Sequence, residues 1–170
     1  MEFNFHPLLV HFPVAFFTLY GVLELLSFLK FFKNSYWFYI KAVLVTLGVI
    51  SAGFAVIAGQ LIEKNKDFES VQDLVELHSK INEIAIFVFF VIAVCYVVEW
   101  LRKDNVKFLP KALMDLGVKL KSFVLDTPLI YILSLVGLIL ITIGGALGGA
   151  IAYGKDIDPF VSFIYSLFFH

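Results

Sequence analysis

The sequence predicts an all-α fold, a transmembrane four-helix bundle, and three observations predict it. Of 170 residues, 61% are hydrophobic and 16% charged, with a mean hydropathy of +0.93; a soluble domain carries about 25% charged residues. Four apolar runs, at about 7–29, 38–62, 84–101 and 127–152, each approach the roughly 20 residues that a helix needs to cross hydrocarbon. The loops between them alternate in charge. A single domain over 1–170 is expected.

The first run opens with HPLLVHFP at positions 6–13. Pro7 suits a first helical turn, and Pro13 falls far enough inside to bend the helix. The preceding MEFNF lacks the positive region and cleavage site of a signal peptide, so this run is expected to stay in the membrane. Lys30, Lys33 and Lys41 follow with no acid among them. The second run carries small residues at Gly48, Ala52, Ala55 and Gly59, with Gly53 among them.

After it, Glu63, Asp67, Glu69, Asp73 and Glu76 outnumber Lys64, Lys66 and Lys80. Ser70 with Asp73 makes a cap for a third helix that begins before the membrane, and Val71, Leu74, Leu77, His78 and Ile81 share its face. Arg102, Lys103, Lys107, Lys111, Lys119 and Lys121 then stand against Asp104, Asp115 and Asp126. The positive-inside rule places both basic connections in the cytoplasm, and both termini and the acidic connection outside. Pro110 to Val124 reads as an amphipathic helix on the cytoplasmic surface. The fourth run ends in GGALGGAIAYG. Asp158 and Pro159 then start a short outer C-terminal helix, too short to span.

Several function classes fall away. No basic block of the kind that tracks nucleic acid is present. No Ser-His-Asp set, glycine-rich phosphate loop or Cys-x-x-Cys pair is found, so no independent catalytic activity is expected. Cys95, the single cysteine, sits in an apolar run and reads as packing. Tyr36, Trp37 and Trp100 read as an interfacial belt. Glu24 and Glu99 are expected to pair with lysine or arginine, or to snorkel.

All four histidines, His6, His11, His78 and His170, fall on the outer side of this topology, and the terminal His170 is assigned no role. The same level holds Gly53 and Gly59 on the second helix and Gly144, Gly145, Gly148 and Gly149 on the fourth. Histidines on helices one and three, with glycines on helices two and four, suit a haem b held between helices one and three. His6 and His11 lie about 140° apart around a helix, so one of them is the ligand. His11, inside the helix, is the favoured partner of His78, with His6 as alternative. Asn82, one turn past His78, and the carbonyls freed near Pro13 are the expected acceptors for the second imidazole nitrogen. Depth keeps His6 in play: His6 lies 24 residues from Lys30, and His78 lies 24 from Arg102.

Two other readings stand beside the haem. His6, His11 and His78 are a candidate metal or quinone site at the outer face. Alternatively, the glycine rows are packing surfaces of a non-catalytic scaffold or assembly subunit. An oligomer is compatible with all three.

HPLLVHFPVAFFTLYGVLELL, the His78 segment and GGALGGAIAYG resemble a bacterial family of four-helix membrane proteins, domain of unknown function 2231, over nearly the whole chain. The resemblance supports the fold and implies residence in the bacterial inner membrane. It marks His6, His11, Pro13, His78 and the glycines of helix four as motif positions. Some members are joined to Rieske or c-type haem domains, which implies a redox role. This chain has no such domain, so its partner would be a separate c-type cytochrome, Rieske protein or respiratory-complex subunit.

Overall fold

The computed structural model describes residues 6–29, 32, 34–65, 71–104 and 110–169. Lys30, Lys33, Lys66, Asp67, Glu69, Ser70, Lys107 and His170, on which parts of the sequence reading turn, lie outside the described residues, as do the side chains of Glu63 and Lys64. The described residues form helices and no strand. In chain order these are α1 (His6–Leu25, extended by a 3-10 turn over Leu26–Phe28), α2 (Ser35–Asn65), α3 (Gln72–Lys103), α4 (Lys111–Val124), α5 (Leu129–Tyr153) and α6 (Pro159–Phe168). Four of them, His6–Phe28, Ser35–Leu61, Gln72–Lys103 and Leu129–Tyr153, are long and apolar enough to cross a membrane.

The ends follow local chemistry. Asp158 caps α6 by accepting from the main-chain N–H of Phe160 and Val161 at 2.8 and 2.9 Å, with Pro159 in the first turn. Gly154 closes α5 at φ 93°, a left-handed position that favours glycine, and its N–H reaches the Ala150 carbonyl. The third helix does start early, at Gln72, but Val71 stands at its cap and makes no side-chain hydrogen bond there.

A short connection makes α1 and α2 antiparallel neighbours, and the longer one that contains α4 does the same for α3 and α5. α1 packs on α2 and α3 on α5, and the two hairpins join through α2–α3 and α1–α5 contacts. That closes a square with α1 and α3 on one diagonal. α4 leans on α3, where Gly117 abuts Val98. α6 folds back along the bundle, and its buried Val161 and Ile164 join Leu74, Ile81, Leu147 and Ala150 in a second small core.

Lipid offers no hydrophobic drive between apolar helices, so close packing has to hold the diagonal together. Phe17 of α1 and Phe89 of α3 stack face to face across it, 4.1 Å between centroids and 6° between planes. Each ring rests on a glycine: a Cβ at Gly48 would meet the Phe17 ring at 2.5 Å, and one at Gly137 would meet the Phe89 ring at 2.6 Å. Both rings are 1% exposed or less, so neither can give way. Gly137→Leu is therefore expected to cost about 1–3 kcal/mol through overpacking. The expected result is a lower thermal midpoint in detergent; a wild-type midpoint would show that the stack does not depend on this glycine.

Candidate functional site

The chemistry-bearing side chains gather at two levels. The first lies at the N-terminal end of the bundle, where α1 and α3 begin and α2 and α5 end. His6, on the first turn of α1, turns toward α2: its Nδ1 lies 3.0 Å from the Ala55 carbonyl, and its ring sits over Gly59, where a Cβ would stand 3.1 Å from Cε1. His78 of α3 does the same with α5. Its Nδ1 lies 2.9 Å from the Gly144 carbonyl, and a Cβ at Gly148 would stand 2.9 Å from its Cε1. A carbonyl can only accept, so each Nδ1 donates to the carbonyl it meets.

The two stations are one motif used twice. His6, Phe17 and Glu24 on α1 precede His78, Phe89 and Tyr96 on α3 by 72 residues each. Gly48, Ala55 and Gly59 on α2 precede Gly137, Gly144 and Gly148 on α5 by 89 each. The contacts match as well as the spacing: histidine on carbonyl and glycine, then phenylalanine on glycine. An approximate twofold axis along the bundle relates the hairpins, and it sets His6 and His78 at one level facing that axis. Phe17 meets Phe89 on the axis about three turns lower, and Glu24 meets Tyr96 below them.

The remaining candidates take different places. His11 is exposed and bonds the Pro7 carbonyl of its own helix. Its counterpart in the second hairpin is Glu83, also exposed, so this face points away from the axis in both hairpins. The structure thus brings His6, rather than the favoured His11, to the level of His78. Asn82 is not the acceptor for the His78 ring, because the Gly144 carbonyl fills that role. Its amide nitrogen donates to the His78 carbonyl at 2.8 Å and lies 3.3 Å from Nε2. It replaces the Val10 of the first hairpin, and the missing Cβ of Gly144, which is alanine at position 55, makes room for it. Gly59, Gly144 and Gly148 are notches for imidazole and amide side chains. Gly53 and Gly145 are exposed with open space around them, and Gly149 meets Val161 of α6. They are not walls of a cleft at the axis.

A cavity of about 420 Å³, lined in part by Gln72, Asp73, Lys155 and Tyr165, opens at this end. Gln72 is six residues before His78, roughly 9 Å along the helix. Among the described residues no three His, Cys, Asp or Glu side chains converge to hold a metal ion.

The second level lies near the basic end. Glu24 is 3% exposed and Lys41 8%. Lys41 Nζ stands 3.1 Å from the Glu24 carboxylate and donates to Ser27 Oγ at 2.9 Å. Tyr96 Oη donates to Glu24 Oε2 at 2.5 Å. Buried Ser134 and Tyr20 meet at 3.4 Å beside them. The expected pairing of both acids with basic residues is present, since Glu99 holds Arg102 through two 2.7 Å bonds. Tyr96, Tyr20 and Ser134 carry no sequence signal beyond their place in apolar runs. The repeat itself was the legible signal, as histidine, ten residues, phenylalanine, in both α1 and α3.

No curated protein and no solved structure matches the chain. The family model described as "Predicted membrane protein (DUF2231)" matches residues 2–158, which takes in both histidine stations and all four long helices and ends at the cap of α6.

Proposed function

We propose a one-electron carrier for this chain, which belongs to the DUF2231 family of predicted membrane proteins. The four long helices cross the bacterial inner membrane with both termini outside, and α4 lies at the cytoplasmic surface. His6 and His78 would hold a haem b in the outer half of the bundle. The observation that carries this reading is the matched pair of imidazoles, each with Nδ1 tied to a main-chain carbonyl. That bond selects the tautomer an axial ligand needs and makes Nε2 a better donor.

The donor set would suit haem: two imidazoles at one level, on diagonal helices. Haem held there supplies one-electron exchange. The chain's own residues do the rest. Gly59 and Gly148 let each ring settle against the neighbouring helix, and the Ala55 and Gly144 carbonyls fix its orientation. The Phe17–Phe89 stack closes the axis below and keeps the Glu24 cluster apart from the site. The polar opening beside Gln72, Asp73 and Lys155 faces the outer aqueous phase, where a separate c-type cytochrome or Rieske protein would dock.

Haem content tests the reading. Chain purified after expression with ample haem should carry haem b in a fixed ratio to protein; chain that purifies without it would overturn the proposal. A scaffold or assembly subunit is the second reading, favoured by the fit of both rings into glycine notches, which helix packing alone would reward.

A further inference from the structure

A groove of about 290 Å³ runs along the seam between α2 and α3, lined by Val43, Thr46, Leu47, Val97, Trp100 and Leu101. These side chains offer it one indole and one hydroxyl, and the indole N–H is already bonded to Asp104. The hydroxyl is not bonded at all. Thr46 Oγ1 is buried without a hydrogen bond, the one side-chain nitrogen or oxygen of that kind among the described residues. Hydrocarbon supplies no partner for a hydroxyl, so serines and threonines in a membrane turn back on their own helix. Ser27 does so onto the Leu23 carbonyl, Ser51 onto that of Gly48 and Thr142 onto that of Leu138. Thr46 does not.

The repeat shows that packing does not require this hydroxyl. An offset of 89 residues carries Val43, Thr46 and Leu47 of α2 onto Ile132, Leu135 and Val136 of α5, and one of 72 carries Val97 and Trp100 of α3 back onto Leu25 and Phe28. The equivalent seam, between α1 and α5, is therefore apolar at all of these positions. Leucine stands there for Thr46 and phenylalanine for Trp100, so the two residues depart from the repeat together. Trp100 is fixed in place: its Nε1 donates to Asp104 at 2.7 Å, and its ring meets Tyr39 edge-on at 5.3 Å. Tyr39 Oη reaches the same carboxylate. Thr46 lies seven residues farther along α2, roughly 10 Å deeper. The groove thus leads from an anchored indole at the basic end to an unpaired hydroxyl inside the hydrocarbon.

We propose that this groove binds the ring head of an isoprenoid quinone, with a ring carbonyl accepting from Thr46 Oγ1 and the ring packed against Trp100. Three requirements select that class. The ligand arrives through lipid, because the exposed side chains of Val43 and Leu47 form part of the rim. It carries a hydrogen-bond acceptor below the interfacial layer, where the ester groups of phospholipids lie. It presents a flat face to the indole, as an aromatic neighbour rewards. The groove is near the small end for a small-molecule site, which suits a ring whose tail stays in the bilayer. Binding here involves no electron transfer. It lies at the opposite end of the bundle from the histidines and does not rest on the haem reading.

Decylubiquinone is the probe, titrated into full-length chain in nanodiscs of quinone-free phosphatidylcholine. Trp37→Phe in every sample leaves Trp100 as the fluorescent reporter, and its emission should be quenched saturably. Thr46→Val should raise the half-saturating concentration about three- to tenfold, the worth of one net hydrogen bond, whereas Thr46→Ser keeps the hydroxyl and should stay within about twofold. Valine matches threonine in shape and removes an unpaired hydroxyl. The thermal midpoint of quinone-free Thr46→Val should therefore be no lower than that of its parent, which separates lost binding from lost fold. In a Trp100→Phe control that retains Trp37, quenching should rise only linearly with quinone dissolved in the bilayer. Linear quenching of Trp100, or an unchanged half-saturation in Thr46→Val, overturns the proposal. So does a lowered midpoint in Thr46→Val, since the hydroxyl would then have a partner already: a phospholipid ester if the loss disappears in ether-linked lipid, and a group of the chain itself if it persists.

Discussion

His6→Ala and His78→Ala should each abolish the Soret and α bands of the dithionite-reduced protein, while His11→Ala should leave both in place. The contrast follows from position. His6 and His78 face a common axis from equivalent stations, and His11 looks outward with its Nδ1 on the Pro7 carbonyl. Loss of one axial imidazole removes half of the donor set, and a membrane haem has little else to hold its iron. Size-exclusion profiles and circular dichroism separate loss of haem from loss of fold. Bands that survive in His6→Ala and vanish in His11→Ala would reverse the assignment.

Glu24→Ala should destabilise the bundle by about 3–5 kcal/mol, because breaking a buried ion pair leaves an uncompensated buried charge. Here the stranded charge is Lys41, left with Ser27 as its partner, and the Tyr96 phenol loses its acceptor. A charge without a partner is costlier still in lipid than near water. The double variant Glu24→Leu with Lys41→Met should recover most of that loss, since replacing both charges by apolar groups is often neutral. Chemical denaturation in mixed micelles reads both values. If the single variant is as stable as wild type, the pair is solvated rather than buried. Haem content should be unchanged in the double variant, because Glu24 lies 18 residues below His6, roughly 27 Å along the helix.

The four long helices were legible because apolar run length alone decides them, and the cap at Asp158 because aspartate before proline is a local signal. The choice between His6 and His11 was not local. A histidine inside a helix attracts the assignment over one at its first residue, and nothing in α1 alone shows that α2 covers the first turn. The equal 24-residue spacings from His6 to Lys30 and from His78 to Arg102 did carry the matched placement of His6 and His78, as a fragment of the repeat. The glycine rows were visible, but their use was not: a row of small residues admits a macrocycle, a helix or a side chain equally well. Gly59 and Gly148 admit imidazoles, and Gly53 and Gly145 face outward. Glu24 finds Lys41 across 17 residues and Tyr96 across 72, pairings that no single-helix pattern encodes.

The central claim is that His6 and His78 share one haem at the axis. Low-temperature electron paramagnetic resonance of the oxidised, purified wild-type protein tests it most directly. Two axial imidazoles should give the low-spin ferric signal of a six-coordinate haem, with no high-spin signal. A purely high-spin signal, or no haem signal from correctly folded protein, would contradict it.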